Sequence, residues 1–429
     1  MNRPPVVVIT GSSAGIGRAT AHEFAKRGAK IGLLARNIDG LNGAKRQVEA
    51  LGGEAVTCVC DVSEPAQIRA AADEVEAAFG PIDVWVNNAM VSFLAPLKEV
   101  TPEEYRRVTD VTYHGVVYGT MEALRRMRPR NTGSIVLVGS ALAYRGIPLQ
   151  TAYCGAKHAI QGFFDSLRAE LIHEGSDIRL SMVQLPGVNT TQFKLARNKM
   201  PNKPRPMGKI YEPEVAARGI YYAATHEERE VFVGAPTFQT IWGNKLFPGL
   251  GDWVLGNSGI QGQQTDEPDD HTRPDYLFEA VPGDHGYKGG FRGQATSTSP
   301  LLWLTMNKWF GAAIVGGAVA GAAALLGGVL GGRGRGDADE IYDEIDDRAV
   351  GRDVYATDKA TDPRYVDHTV YPDGRRIEYP EQDFSGIHGG APRGYDYEYG
   401  GEAEVTYPGE VDLGRARRRG DAVVLDGVD

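Results

Sequence analysis

At 429 residues, with 42% hydrophobic and 24% charged residues, the chain can bury one large α/β core with appendages, or about two to three ordinary domains. Its formal net charge is −10, and the acidic excess lies after residue 331, so the rest is near neutral and offers no basic stripe for nucleic acid. Three cysteines, Cys58, Cys60 and Cys154, are too few and too irregularly spaced for a disulfide scaffold or a metal site, which suits a reducing compartment with free thiols. The start, "MNRPPVVVIT", has too short an apolar run for a signal peptide, and export is not expected.

In chain order, β-branched runs alternate with helical periods. "PVVVIT" (5–10), "IGLLA" (31–35), "EAVTCVC" (54–60), "DVWVN" (83–87), "GSIVLVG" (133–139), "DIRLSMVQL" (177–185) and "EVFVG" (230–234) read as strands. Between them apolar residues recur three and four apart, as in Ile68, Ala71, Val75 and Phe79, or Ile160, Phe163, Leu167 and Leu171. This repetition predicts an α/β fold: a Rossmann-type doubly wound parallel sheet of about seven strands with helices on both faces.

The first strand runs into "TGSSAGIG" (10–17). Gly11 permits a tight turn, Gly15 admits a pyrophosphate close to the backbone, and Gly17 lets the next helix pack tightly, with Ser13 and Ile16 between them. A glycine cluster after a strand and before a helix is the context a dinucleotide site requires.

Further motifs follow in order: Asp61 after the third strand, "NNA" at 87–89, Ser140 after the fifth strand, Tyr-x-x-x-Lys at 153–157 and "PG" at 186–187. Together with the glycine loop they resemble the short-chain dehydrogenase/reductase family over roughly residues 5–235. The resemblance implies an oxidoreductase that moves a hydride between nicotinamide and a carbonyl or secondary alcohol. It also implies that Asp61 and Val62 flank the adenine, that Asn88, Ala89, Pro186 and Gly187 lie along the cofactor, that Lys157 holds the nicotinamide ribose, and that the protein is a homodimer or tetramer.

The residues support this chemistry directly. Four positions is one helical turn, so Lys157 lies on the face of Tyr153, where an ammonium favours the phenolate and brings a phenol of ordinary pKa ~10 towards the working range. Tyr153 is then the acid or base, and Ser140, at the end of a strand, can hydrogen-bond the same substrate oxygen. At "LLARN" the second strand ends in Ala35 and Arg36 rather than an acidic residue; a cation there pairs with a 2′-phosphate, so NADP(H) is expected over NAD(H).

Two positions depart from the family pattern. Thr112 stands where relatives carry an asparagine that completes the proton relay, and Met90 stands where they carry glycine. They keep two alternatives open: an epimerase or isomerase that uses the bound nicotinamide transiently, and a non-catalytic NADP(H)-binding membrane scaffold. Tyr144, Ile147, Leu149, Phe193 and Leu195, in the loops after Ser140 and Pro186, suggest a small hydrophobic carbonyl or alcohol substrate.

The predicted organisation is a catalytic domain at 1–255, a polar linker at 256–300, a membrane anchor at 301–331 and an acidic, largely disordered tail at 332–429. The anchor rests on the uncharged stretch 309–330, which as a helix would span about 33 Å. A nicotinamide requirement would place the catalytic domain in the cytoplasm.

Overall fold

Residues 3–310 are described by the computed structural model. Seven runs rich in apolar residues, the inner five almost wholly buried, form one sheet: β1 (Val6–Thr10), β2 (Lys30–Ala35), β3 (Glu54–Val59), β4 (Val84–Asn87), β5 (Gly133–Val138), β6 (Ile178–Gln184) and β7 (Glu230–Phe232). They are hydrogen-bonded in the order β3-β2-β1-β4-β5-β6-β7, every pair parallel. Ile9 pairs with Leu33 on one side and Val86 on the other. The sheet order therefore reverses between β1 and β4, and the crevice that opens there at the strand ends is where ligands collect in such sheets.

Helices cover both faces. They are α1 (Gly15–Ala25), α2 (Ile38–Ala50), α3 (Pro65–Phe79), α4 (Pro102–Thr109), α5 (Gly115–Met127), α6 (Thr151–His173), α7 (Gln192–Leu195) and α8 (Pro213–Thr225). Their apolar stripes produce a core on each side of the sheet, one containing Trp85, Ile135 and Phe164, the other Ile9, Phe24 and Ile220. Between α4 and α5 the helix widens into a π-turn at Asp110–His114. All three cysteines are buried and unpaired.

Residues 256–300 are not a linker. Gln264–Pro268 pairs antiparallel with Asn202–Pro204, and Gln263 and Leu277 are completely buried. Gln263 bonds the Gln150 side chain at 2.7 Å and the Pro148 carbonyl at 2.9 Å, bracing the loop that leads into α6. The segment looks like a linker because its buried apolar residues, Leu277 and Val281, follow no strand or helix period, while its polar groups find partners on the domain. The catalytic unit also continues past residue 301. In the helix Pro300–Met306, Leu302 is buried among the side chains of the second core, and the Tyr222 hydroxyl donates to the Thr305 carbonyl at 3.1 Å. The rest of the expected anchor, from 311, and the acidic tail at 332–429 lie outside the described residues. Among the described residues no helix is long and apolar enough to cross a membrane.

Candidate active site

The glycine loop is held by contact distances that admit no side chain at one position. Gly11 and Gly15 have φ of +68° and +52°, where a Cβ is disfavoured. A Cβ on Gly17 would lie 2.3 Å from the Gly11 carbonyl oxygen and 2.5 Å from Asn88 Nδ2. The loop thus leans on the end of β4. There Thr10 Oγ1 accepts from the Asn88 and Ala89 amides at 2.9 and 3.0 Å, and Asn88 Nδ2 donates to the Thr10 carbonyl at 2.9 Å. The side chain of Asn88 is thereby a brace between β1 and β4 as well as part of the cleft wall.

A cavity of about 200 Å³ lies above this loop, lined by Gly11, Ser13, Gly15 and Ile16, by Arg36 at the end of β2, and by Asp61 and Val62 after β3. Asn88 and Ala89 complete that wall. The sequence-predicted dinucleotide residues before the fifth strand are brought together here, except that Gly17 lies beneath the loop. Arg36 is not free: its guanidinium donates to the carbonyls of Tyr276 and Phe278, the latter at 2.6 Å. Two of its five N–H groups are therefore engaged by residues 240 positions away, and Asp61 Oδ2 stands 4.0 Å from it. The Asp61 carboxylate is itself paired with Arg107, a partner that no motif announced. Arg107 and the Ser63 hydroxyl and amide hold the Asp61 carboxyl below the usual carboxylate range against the opposing effect of burial.

The residues expected to handle the proton come from one strand end and one helix. β5 delivers Ser140, whose hydroxyl accepts from the Leu142 amide at 3.1 Å. α6 carries Tyr153 and Lys157 one turn apart. Lys157 is almost fully buried, donates to the Val138 carbonyl at 2.6 Å and lies 5.5 Å from the Tyr153 ring centroid. Burial pushes the Lys157 ammonium down to about 8. Burial pushes the Tyr153 phenol up, and the Ser140 hydroxyl facing it pulls the other way. The Lys157 ammonium is bonded to the Val138 carbonyl, and Ser140 is the group that faces the phenol.

These three residues line a second cavity, of about 340 Å³, whose walls include Pro186 and Gly187. Ile16, Asn88, Met90, Thr190 and Gln192 border both cavities, so the two are halves of one cleft. Of the side chains expected to make the pocket apolar, Ile147 and Phe193 line it. Leu195 lies instead in the first cavity. Leu149 packs with Leu94 and Ala196, and the Tyr144 hydroxyl donates to Glu230 at 2.7 Å.

The two departures have different outcomes. Thr112, in the π-turn, is fully buried; its hydroxyl accepts from the Val91 amide at 3.2 Å and donates to the Val91 carbonyl at 2.9 Å. It ties the π-turn to the loop after β4. Met90 borders both halves of the cleft. Sequence reasoning missed Arg18, Thr190, Tyr276, Val281 and Asp284. The aromatic and aliphatic cluster in "PDYLFEAV" is denser than a linker requires, and that was the available signal.

The short chain dehydrogenase profile matches residues 5–201. Over 319 residues, 73% of this chain and 89% of the relative, the sequence is 32% identical to "Uncharacterized oxidoreductase YxnA" of Bacillus subtilis (strain 168). The chain belongs to the short-chain dehydrogenase family. As a short-chain dehydrogenase it is an oxidoreductase of a family whose general chemistry is hydride transfer on small substrates. It is also 35% identical over 199 residues to "Dehydrogenase/reductase SDR family member 7B" of Bos taurus, a match that spans 45% of this chain and 60% of that protein. Among solved structures, a metagenomic short-chain oxidoreductase crystallised in complex with NADP is 29% identical, covering 53% of this chain and 96% of its own, with a TM-score of 0.46. A match over 73% of a 429-residue chain takes in residues 256–300 wherever it begins, so the similarity to the Bacillus protein continues through the segment beyond the family profile.

Proposed function

We propose that this short-chain dehydrogenase reduces or oxidises a hydrophobic carbonyl or secondary alcohol with NADP(H), Tyr153 being the acid/base. The observation that carries this reading is the convergence of Ser140, Tyr153 and Lys157 on one cavity that joins the cavity above the glycine loop. The residues that line the two halves would hold a nicotinamide dinucleotide, which would supply or accept the hydride. In the reductive direction the Tyr153 Oη proton passes to the carbonyl oxygen as it gains charge, and the Ser140 hydroxyl donates a hydrogen bond to that same oxygen. In the oxidative direction the proton returns to Tyr153. Lys157, held by Val138 beneath the tyrosine, keeps a donor at the floor of the cavity. The apolar lining contributed by Leu142, Ile147 and Phe193 favours a hydrophobic substrate.

Preference for NADP(H) is supported by Arg36 in the wall of the first cavity and by the absence of an acidic residue at the end of β2. The test is nicotinamide consumption by the full chain, wild type beside Tyr153→Phe, on hydrophobic aldehydes and ketones with NADPH or NADH. Turnover that favours NADPH and collapses in the variant is expected; equal turnover in both proteins would sink the assignment of Tyr153.

The proposal extends to assembly and location. A homo-oligomer is expected from the family and is checked by light scattering. A cytoplasmic catalytic unit attached to a membrane is supported by the uncharged stretch at 309–330, by the exposed Trp242 and Trp253 of the helices Ala235–Leu246 and Pro248–Ser258, and by the exposed Phe247 between them. Fractionation of the full chain into the soluble phase after salt washing would overturn the attachment.

A further inference from the structure

The nucleotide cavity has a wall that the glycine loop and the strand ends do not provide. Tyr276, Ala280, Val281 and His285 line it together with Ser13, Arg36 and Asp61. The segment they belong to is buckled onto the domain at every few residues. Arg36 donates to the carbonyls of Tyr276 and Phe278, and Arg107 donates to that of Leu277 at 3.0 Å. Asn37 Nδ2 donates to the carbonyls of Val281 and Gly283 at 2.6 and 2.9 Å, and the Gly283 amide donates to Asp39 at 2.8 Å. At the far end Asp284 pairs through both carboxylate oxygens with Arg18, which is 1% exposed and also donates to the Ser13 carbonyl in the glycine loop.

Every domain residue in this set comes from the start of α1, the end of β2, the first turn of α2, or α4 beside Asp61. Those are the elements around the nucleotide cavity, whereas a segment that merely filled surface would bond to whatever lay beneath it. Asn37 and Arg36 serve at once as cavity wall and as anchor for the segment. The Tyr276 hydroxyl is buried against the Ser92 backbone.

We propose that residues 276–285 form a clasp that completes the dinucleotide site, closing over the adenosine end of the cofactor. The inference rests on the nicotinamide reading above. Because the clasp's anchors are the cavity's own walls, a dinucleotide that packs against those walls stabilises the closed clasp, and the closed clasp retains the dinucleotide. The clasp acts on release more than on capture.

The test uses the full chain with NADPH and with NADH as probes. Hydrogen exchange measured with and without each dinucleotide should show slowing at residues 276–285 together with residues 11–17. Asp284→Asn should speed dinucleotide release in stopped-flow displacement by about tenfold or more, with a smaller change in association. Should that variant fail to fold, Asp39→Ala removes the acceptor of the Gly283 amide from an exposed site and should speed release by a few-fold. Slowing confined to residues 11–17, with release unchanged in the variants, overturns the clasp. Slowing in neither region overturns the dinucleotide reading on which it stands.

Discussion

The two ends of the cleft are assembled over very different distances along the chain. Ser140, Tyr153 and Lys157 fall within one strand end and two turns of one helix, so local geometry brings them together once β5 and α6 pack. The nucleotide end draws on β1, β2, β3, β4 and a segment some 240 residues further on, tied down through Arg36, Asn37 and Arg18. A short-range constellation can be recognised from spacing, whereas a long-range one depends on which distant backbone carbonyls meet a cation. The difference predicts where substitution is felt. Changes at the proton end should alter chemistry with little effect on affinity, and changes at the nucleotide end should alter affinity with little effect on chemistry.

The largest expected effect comes from Tyr153→Phe, which removes the oxygen proposed as acid/base and little packing. Turnover should fall by roughly 10²–10⁴-fold while the melting temperature and dinucleotide affinity stay near wild type. Comparable affinity loss in that variant would break the division between the two ends. Next is Gly17→Val at the other end. A side chain 2.3 Å from the Gly11 carbonyl and 2.5 Å from Asn88 must push the glycine loop away from β4, so dinucleotide binding should be abolished, as isothermal titration would show.

A third prediction concerns Lys157 in the cofactor-free protein. Burial lowers it from an ordinary 10.5 to about 8, so between those values the unfolded chain binds the proton that the native protein has lost. The native state is penalised below pH 8, and the penalty disappears as pH rises towards 10.5. Wild-type stability relative to Lys157→Met should therefore climb across that window, by something on the order of 2–3 kcal/mol. A flat difference from pH 7 to 10.5 in denaturant titrations would show that the native lysine keeps its charge.

Smaller effects sharpen the picture. Arg36→Ala should cost NADPH about tenfold in affinity relative to NADH, and it should also loosen the clasp, so both dinucleotides should leave faster. Selective loss without faster release would separate the arginine's role towards phosphate from its hold on Tyr276 and Phe278. Thr112→Val leaves the Val91 amide and carbonyl without their partner and should lower stability by about 1–3 kcal/mol, with turnover reduced less than in Tyr153→Phe. A relay role for the hydroxyl would show instead as a turnover loss approaching that of Tyr153→Phe.

The five inner strands were legible because a strand buried on both faces must be a nearly unbroken apolar run, as in Val6–Thr10 and Gly133–Val138, and the edge strands Glu54–Val59 and Glu230–Phe232 were legible from β-branched and aromatic residues between turns. Gly11, Gly15 and Gly17 were legible because a missing side chain is itself written in the chain. Residues 256–300 were misread for the converse reason. Their burial is achieved by scattered anchors such as Gln263, Leu277 and Asp284, each matched to a partner far away, and no periodicity records such matches.

By itself, then, the sequence determined the order of strands and helices, the glycine loop and the spacing of Ser140, Tyr153 and Lys157, since each is set by local backbone preference or by residues within a few turns of one another. Only the tertiary structure decided what Arg36 and Lys157 bond to, that Thr112 holds a loop, and that a late segment lines the nucleotide cavity. Those outcomes follow from packing between groups far apart in the chain, where charge, burial and available carbonyls are fixed only once the sheet has brought its ends together.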